Sequence, residues 1–384
     1  MRERYYSIDI FRGATVALMI LVNNPGNWSH LFSPLAHATW HGCTPTDLVF
    51  PFFLFAVGNA LAFVLPQKQS TANISTYIKI LKRSFLIFII GLLLNWFPFV
   101  QYNDANELAF KTFNKLRIMG VLQRIAVCYL LAALLAYWCS MKQLVLIILM
   151  LLLGYWGLCV WMQPVDSFSL YGWFGNSIDL QIFGEKHLYT GEGVPFDPEG
   201  LMSSFGAIAE VLIGYLIGRH IQKTGKQIAL PTGLFLAGLI LILLGWAWSP
   251  IFPINKKIWT SSYTLYTAGW ATCILSVFIY FLEIKKTTGF IDRFFEVFGK
   301  NALFIFVLSG ALPRLLRLIR WQAPPTDTQA KHWINPMSWW YENCCAVWFT
   351  TDPRIGSLLY AISLLTLMWL IALWMHRSKI YIKV

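Results

Sequence analysis

QLVLIILMLLLGYWGLCVWM, residues Gln143–Met162, runs for twenty residues without a charged side chain. At about 1.5 Å of rise per residue, a helix of that length reaches about 30 Å, the thickness of a bilayer's hydrocarbon core. Working outward from it, comparable apolar runs fall at roughly 8–24, 46–65, 80–97, 118–138, 201–221, 228–249, 262–282, 300–319 and 356–375, which makes ten in all. The composition agrees. Of 384 residues, 57% are hydrophobic, 16% aromatic and only 12% charged, against about 25% charged in soluble domains. These values exclude a soluble enzyme, a nucleic-acid binder and a disordered chain. The expected fold is all-α: a polytopic transmembrane helical bundle of about ten spans, forming a single domain over residues 1–384.

The net charge of +12 sits in short loops between the apolar runs, as topology signals do. An even number of spans puts both termini on one side. Loops on that side, with Arg2, Arg4, Lys68, Lys82, Arg83 and Lys383 among their charges, carry 18 Lys and Arg; those on the other, including Lys256, Lys257 and Lys331, carry 9. The termini are therefore expected to be cytoplasmic, with the longer loops 25–45, 98–117, 163–200, 250–261 and 320–355 facing outward. The first span is read as retained, because Asp9 and Arg12 interrupt it and Ala36-His37-Ala38 lies well past its end. An amphipathic piece, Gly289–Phe298, is expected to lie along the membrane interface. Seven cysteines are scattered without a CxxC pair. Cys43, Cys344 and Cys345 are expected outside the membrane, and their pairing stays open.

Ionisable groups inside spans are costly, so each is a candidate for function. Arg124 lies about two turns below the outer surface in the fourth span, and Glu210 lies roughly 15 Å down the sixth. Two readings stand: an ion pair that holds the bundle, or a pair that lines a substrate cavity. Asp9 and Arg12, three apart on the first span, read as an interfacial ion pair or as a place where Arg12 meets an anionic ligand. Asn23-Asn24 closes the first span before Pro25-Gly26, as a helix cap does. The densest polar cluster follows: His30, His37, His41, Cys43, Thr44, Thr46 and Asp47. Thr44-Pro45-Thr46-Asp47 reads as an N-cap for the second span, and Asp47 either serves only that purpose or also orients a histidine. Asp197-Pro198-Glu199-Gly200 reads as an acidic cap before the sixth span. No P-loop, GxSxG or HExxH occurs, and no metal site is expected.

A longer pattern runs through these residues. His37-Ala38-Thr39-Trp40-His41-Gly42-Cys43-Thr44-Pro45-Thr46-Asp47-Leu48-Val49-Phe50-Pro51 resembles the H-A-x-W-x-G-x-T-x-x-D-L-V-F-P block of the heparan-α-glucosaminide N-acetyltransferase family. Asp9-Ile10-Phe11-Arg12-Gly13 resembles its D-x-F-R-G. Arg117-Ile118-Met119-Gly120-Val121-Leu122-Gln123-Arg124 is similar to R-I-x-G-V-L-Q-R. Phe196-Asp197-Pro198-Glu199-Gly200 is similar to F-D-P-E-G, and Trp259-Thr260-Ser261-Ser262-Tyr263 to W-S-L-S-Y. The matches occur in order over about 90% of the chain. The resemblance is to a compact bacterial relative without the large lumenal N-terminal region of the animal enzyme, which implies a bacterial inner (cytoplasmic) membrane.

The resemblance implies transfer of acetyl from cytoplasmic acetyl-CoA to the amine of a glucosamine-type sugar on the outer side. His37 matches the family's catalytic histidine, near the outer face, and Asn23 falls in the pair placed beside it. In that scheme His37 is general base or acetyl carrier. Asp47 orients its imidazole, and Asn23 donates to the oxyanion of the thioester carbonyl. Arg12, Lys82 or Arg83 would meet the CoA phosphates. Arg124, Glu210 and Glu199 are carried as substrate- or cosubstrate-binding candidates. Trp40 and Trp259, with Trp28, Trp173, Trp339 and Trp340, either stack on sugar faces or anchor the interface. The expected partners are acetyl-CoA, an amino-sugar acceptor and the lipid bilayer, without nucleic acid, and a homodimer is one assembly open to the chain. Two other readings remain: an O-acyltransferase of cell-surface or cell-wall glycans, and a sugar or organic-anion transporter with Arg124 and Glu210 at its midplane.

Overall fold

The computed structural model describes residues 5–65, 74–323 and 333–382. Arg2, Arg4, Lys68, Lys331 and Lys383, counted in the charge bias, lie outside the described residues. The main helices are α1 Tyr6–Asn23, α2 Val49–Val64, α3 Ile74–Trp96, α4 Val121–Trp138, α5 Met141–Met162, α6 Phe174–Phe183, α7 Ser204–Thr224, α8 Ala229–Trp248, α9 Ser261–Ile279, α10 Phe290–Lys300, α11 Ala302–Leu316, α12 Pro336–Trp340 and α13 Pro353–Arg377. A 3₁₀ turn, Pro45–Leu48, leads into α2, and a π turn, Tyr280–Ile284, extends α9. The β structure among the described residues is two short antiparallel hairpins, Val100–Tyr102 with Leu108–Phe110 and Trp321–Gln322 with Trp333–Ile334. The all-α membrane bundle stands.

Each of the ten expected runs holds a helix, but they are not equivalent. Among the described residues, eight helices are long and apolar enough to cross a membrane. A ninth crossing arises if α10 and α11 count together, though they meet at 81°. The run expected at 300–319 therefore yields only the 15-residue α11, which reaches about 22 Å. The amphipathic piece before it is a separate helix, α10. The remaining run gives α3, whose 23 residues are long enough but carry Lys79, Lys82 and Arg83.

Burial sorts the helices into an inner and an outer set. The spans containing α2 and α7 are each 72% buried, against 28% for α5 and for α8. The outer set turns Leu146, Leu149, Leu153, Leu239 and Leu243 outward, an apolar surface of the kind a hydrocarbon layer covers. At the centre α2 and α7 cross almost backbone to backbone. A Cβ added to Gly58 would stand 2.0 Å from the Val211 carbonyl oxygen, and one on Gly214 would stand 2.3 Å from that of Phe55. Small residues at such crossings replace the hydrophobic driving force that lipid removes.

The contacts also fix which ends coincide. Tyr5 Oη donates to the Ile221 carbonyl at 3.3 Å, Tyr6 Oη to Glu296 at 2.8 Å, and Asn301 Nδ2 to the Ile380 carbonyl at 3.0 Å. The first and last described segments thus meet at one end of the bundle. The loop bearing His37 lies at the other end.

Candidate active site at the loop end of the bundle

The loop between α1 and α2 is shaped by its own polar groups. Asn24 Nδ2 closes α1 by donating to the Ile20 carbonyl at 2.8 Å. Thr44 Oγ1 donates to the Ala36 carbonyl at 2.7 Å and Thr46 Oγ1 to that of Pro34 at 3.0 Å. Gly42, at φ +109°, turns where a side chain would be strained, and its N–H reaches the Ile254 carbonyl at 2.7 Å. These bonds fold His37 back over the entrance to α2.

Asp47 makes two sets of contacts. Its Oδ2 accepts from the backbone N–H of Thr44 and of Ala38, each at 3.0 Å, which caps the helix start and pins the loop. Its Oδ1 stands 2.6 Å from His37 Nδ1. An ionised carboxylate only accepts, so Nδ1 carries a proton, and in the neutral ring the lone pair is on Nε2. Asp47 is 1% exposed and His37 37%, so the buried partner holds the exposed one. Tyr263 Oη, from α9, donates to the Asp47 backbone carbonyl at 2.5 Å and ties this corner to the core.

Three further motifs converge on the same place. Arg117 clamps Asp197 with Nε at 2.9 Å and Nη2 at 2.6 Å. Its Nη2 also bonds Glu199, and its guanidinium lies 4.8 Å over the Tyr189 ring. Burial pushes the Glu199 carboxyl up, but Arg117 above all, with Arg124 and Lys256, outweighs it and holds the acid below its ordinary range. Burial works against the Arg117 cation, and the two carboxylates more than compensate, leaving its pKa raised. Just below, Arg124 is wholly buried. It donates through Nη2 to the Gly200 carbonyl at 3.0 Å and to Ser203 Oγ, and it lies 5.0 Å over the Trp259 ring.

The loop between α8 and α9 closes the site. Asn255 is fully buried; its N–H bonds Thr260 Oγ1 at 3.0 Å, and its Oδ1 accepts from Ile258 N–H at 3.1 Å. Trp259 sits at φ +48°. This tight turn aims Lys256 at the histidine: Nζ lies 3.1 Å from Nδ1, 3.4 Å from Nε2 and 3.5 Å from Asp47 Oδ1. Lys257 points elsewhere, to Glu192 at 2.5 Å and the Thr39 carbonyl at 2.7 Å.

Together these residues wall a cavity of about 330 Å³ lined by Asn23, Trp28, His37, Trp40, Asp47, Arg117, Tyr189, Glu192, Glu199, Lys256, Lys257 and Trp259. A narrower cavity of about 110 Å³ shares Asn23, His37, Val121, Glu199 and Lys256 with the first and reaches inward along Met19, Val22, Val49 and Phe50. The two meet at His37. One is a wide vestibule rimmed by Trp28, Trp40 and charged side chains; the other is a narrow slot among α1, α2 and α4 whose wall mixes the apolar Met19, Val22, Val49 and Phe50 with Thr46, Glu199 and Lys256.

Of the expected site residues, His37, Asn23, Asp47, Trp40, Glu199 and Trp259 line this space. Trp259 is only 1% exposed and packs edge-on against Phe50 and Tyr263, so it forms floor, not an open stacking platform. Trp173 is likewise buried. The pairing of Arg124 with Glu210 does not form: Arg124 reaches up to the turn before α7, while Glu210 accepts from Thr267 Oγ1 at 3.1 Å and lines neither cavity. Arg12 stands at the opposite end of α1, bonded to Asp9 at 2.9 Å and to the Gly299 carbonyl. All seven cysteines are free. Lys256, Lys257, Glu192 and Tyr189 were not among the expected site residues. The signal for the lysines was their place in a short loop directly before the Trp259–Tyr263 motif.

Known proteins bear on this arrangement. The family model described as heparan-alpha-glucosaminide N-acetyltransferase, catalytic, matches residues 4–245. The human heparan-alpha-glucosaminide N-acetyltransferase is 26% identical over 358 residues, covering 79% of this chain and 52% of that protein. The mouse protein of the same name is 24% identical over 388 residues, covering 87% of this chain and 57% of its own length. The chain thus spans little more than half the length of these relatives.

Proposed function

The chain belongs to the heparan-α-glucosaminide N-acetyltransferase family, and from that premise we propose that it moves acetyl from acetyl-CoA, entering from the end where the chain termini lie, to the amine of a glucosamine-type sugar held at the His37 end. The observation that carries this reading is the position of His37, held by Asp47 at the junction of a wide vestibule and a narrow inward slot. An acyl-thioester arm is slender enough for the inner slot, and its amide and carbonyl groups suit a wall that carries polar side chains beside apolar ones. A sugar is polar and amphipathic, and the vestibule offers it the faces of Trp28 and Trp40 beside charged groups.

Chemistry needs three things here. An ammonium has no lone pair, so a base must take its proton; His37 Nε2 is placed for that, with Asp47 fixing the tautomer and stabilising the imidazolium that forms. The same lone pair serves if the imidazole itself takes the acetyl group first. The carbonyl oxygen becomes negative as attack proceeds and needs donors, and Asn23 lines both cavities beside His37. Finally, the CoA head group needs cations near the chain-termini end, where Arg12, Lys82 and Arg83 are the candidates. The Arg117–Asp197–Glu199 cluster acts as a rigid wall that shapes the vestibule with its charges already matched.

Thiol release from acetyl-CoA by the detergent-purified protein tests this reading, with and without glucosamine, for the wild type and His37→Ala. Glucosamine-dependent release that vanishes in the variant supports it. Release that persists in His37→Ala rejects the site, and a hydroxyl acceptor that outperforms glucosamine rejects the acceptor class.

A further inference from the structure

We propose that the Lys256 ammonium binds the carbonyl oxygen of the transferring acetyl group and holds it beside His37 Nε2. This rests on the acyl-transfer reading above and extends it with a residue outside the family's histidine block. Lys256 lines both cavities, and its Nζ lies 3.4 Å from His37 Nε2. A group lying beside the pair is in reach of the base and of a cation at once, which is the geometry an acyl-transfer site needs.

Lys256 also lacks a full-strength acceptor among the described residues. His37 Nδ1 is nearest, at 3.1 Å, but its proton goes to Asp47, so it cannot accept. His37 Nε2 at 3.4 Å and Asp47 Oδ1 at 3.5 Å are long contacts for hydrogen bonds. Every other cation around the cavity is committed: Arg117 to Asp197 and Glu199, Lys257 to Glu192. A four-fifths-buried ammonium with unfilled donor capacity, facing an acyl-sized slot, is suited to an oxyanion. The bookkeeping is simple. The amine nitrogen bonds to the acetyl carbon, and the carbonyl electron pair moves to oxygen, where Lys256 donates a hydrogen bond and keeps its proton. The oxyanion pair then re-forms the carbonyl as the C–S bond breaks; of the two protons the nitrogen loses through His37, one before attack and one after, one leaves on the CoA thiol and the other passes to solvent.

The charged and titratable groups facing Lys256 are Asp47, Glu199, Cys43 and His37. Burial lowers its pKa, and Asp47 and Glu199 offset that only in part. The cation is therefore lost at a lower pH than an ordinary lysine loses it, and turnover falls as pH rises through that value.

The test compares wild type with Lys256→Met and Lys256→Arg in the thiol-release assay, with His37→Ala alongside. The expected result for Lys256→Met is a kcat lower by about 10²–10³, with KM for acetyl-CoA within about threefold. Lys256→Arg should restore part of kcat and move the alkaline fall of the kcat profile to higher pH, because guanidinium keeps its proton. If Lys256→Met does not fold, Lys256→Arg carries the test alone. Near-wild-type kcat in Lys256→Met, or an unmoved alkaline fall in Lys256→Arg, overturns the proposal. Wild-type activity that His37→Ala abolishes while both Lys256 results fail would sink this inference and leave the transferase reading intact.

Discussion

Replacing Asp47 with asparagine separates folding from chemistry at this site. The side chain keeps its shape, but one acceptor oxygen becomes an NH₂ donor. Asp47 Oδ2 serves two backbone N–H groups, and Oδ1 serves His37 Nδ1–H at 2.6 Å. The amide oxygen will stay with the two backbone donors, since leaving a buried N–H unpaired costs about 1–3 kcal/mol. That turns NH₂ toward Nδ1, which then must accept, and the proton moves to Nε2. The lone pair on the cavity side disappears. In a serine hydrolase, converting the orienting carboxylate to an amide costs about 10⁴ in turnover by this tautomer change. The partly open His37 ring has room to rotate, so the expected loss here is about 10²–10⁴. The charge-assisted bond lost is worth about 1.5–3 kcal/mol, part of which the new amide bond returns, so the protein remains folded. Thiol release measures the rate, and a detergent melting curve with and without CoA checks folding and binding. A folded, CoA-responsive Asp47→Asn protein with kcat within threefold of wild type would refute the assigned tautomer.

Other perturbations test the frame and the electrostatics. Gly58→Ala places a methyl 2.0 Å from the Val211 carbonyl; forcing α2 and α7 apart should cost about 1–3 kcal/mol and lower the melting temperature, and an unchanged melt would show that the crossing is not tight. Arg117→Lys replaces a fork with a single ammonium, so Asp197 and Glu199 lose matched partners; activity and melting temperature should both fall, and a variant that loses neither would dismiss the cluster as a wall. Burial raises the Asp179 carboxyl to about 7, with Oδ2 lacking a partner. The fold therefore favours the protonated acid: its contribution is complete below the ordinary carboxyl range near ~4 and is lost as pH rises through about 7. Wild type should melt lower at pH 8 than at pH 5, and Asp179→Asn should flatten that difference; an identical slope in the variant would contradict it.

What was legible in the sequence is what depends on local spacing. Asp47 lies ten residues from His37 and opens a helix, so its cap role and its reach to a loop histidine follow from one short segment. The helices were legible because hydrocarbon demands length and apolarity. Relations between helices were not. Arg124 and Glu210 have similar depths in their spans, but depth says nothing of which way a helix face points, and Arg124 found the turn at Gly200 and Ser203 instead. The bend between α10 and α11 falls at Asn301, which donates to the Ile380 carbonyl some eighty residues away. Lys256 read as a topology charge because nothing in its own loop shows that Asn255 and Trp259 aim it at a histidine 219 residues away in sequence. Trp259 read as a sugar-stacking or interface-anchoring aromatic, because its own motif does not show that Phe50, from α2, closes over it.

The central claim is that acetyl passes from a donor at one end of the bundle to an acceptor at the other. Oriented proteoliposomes test it directly, with acetyl-CoA confined to one face, glucosamine to the other, and N-acetylglucosamine measured in each compartment. The expected result is product on the His37 face when acetyl-CoA is supplied from the chain-termini face, and none when His37 is replaced by Ala. Product formed only when acetyl-CoA and glucosamine share the His37 face would contradict it, because the inner slot would then have no part in delivering the acetyl group.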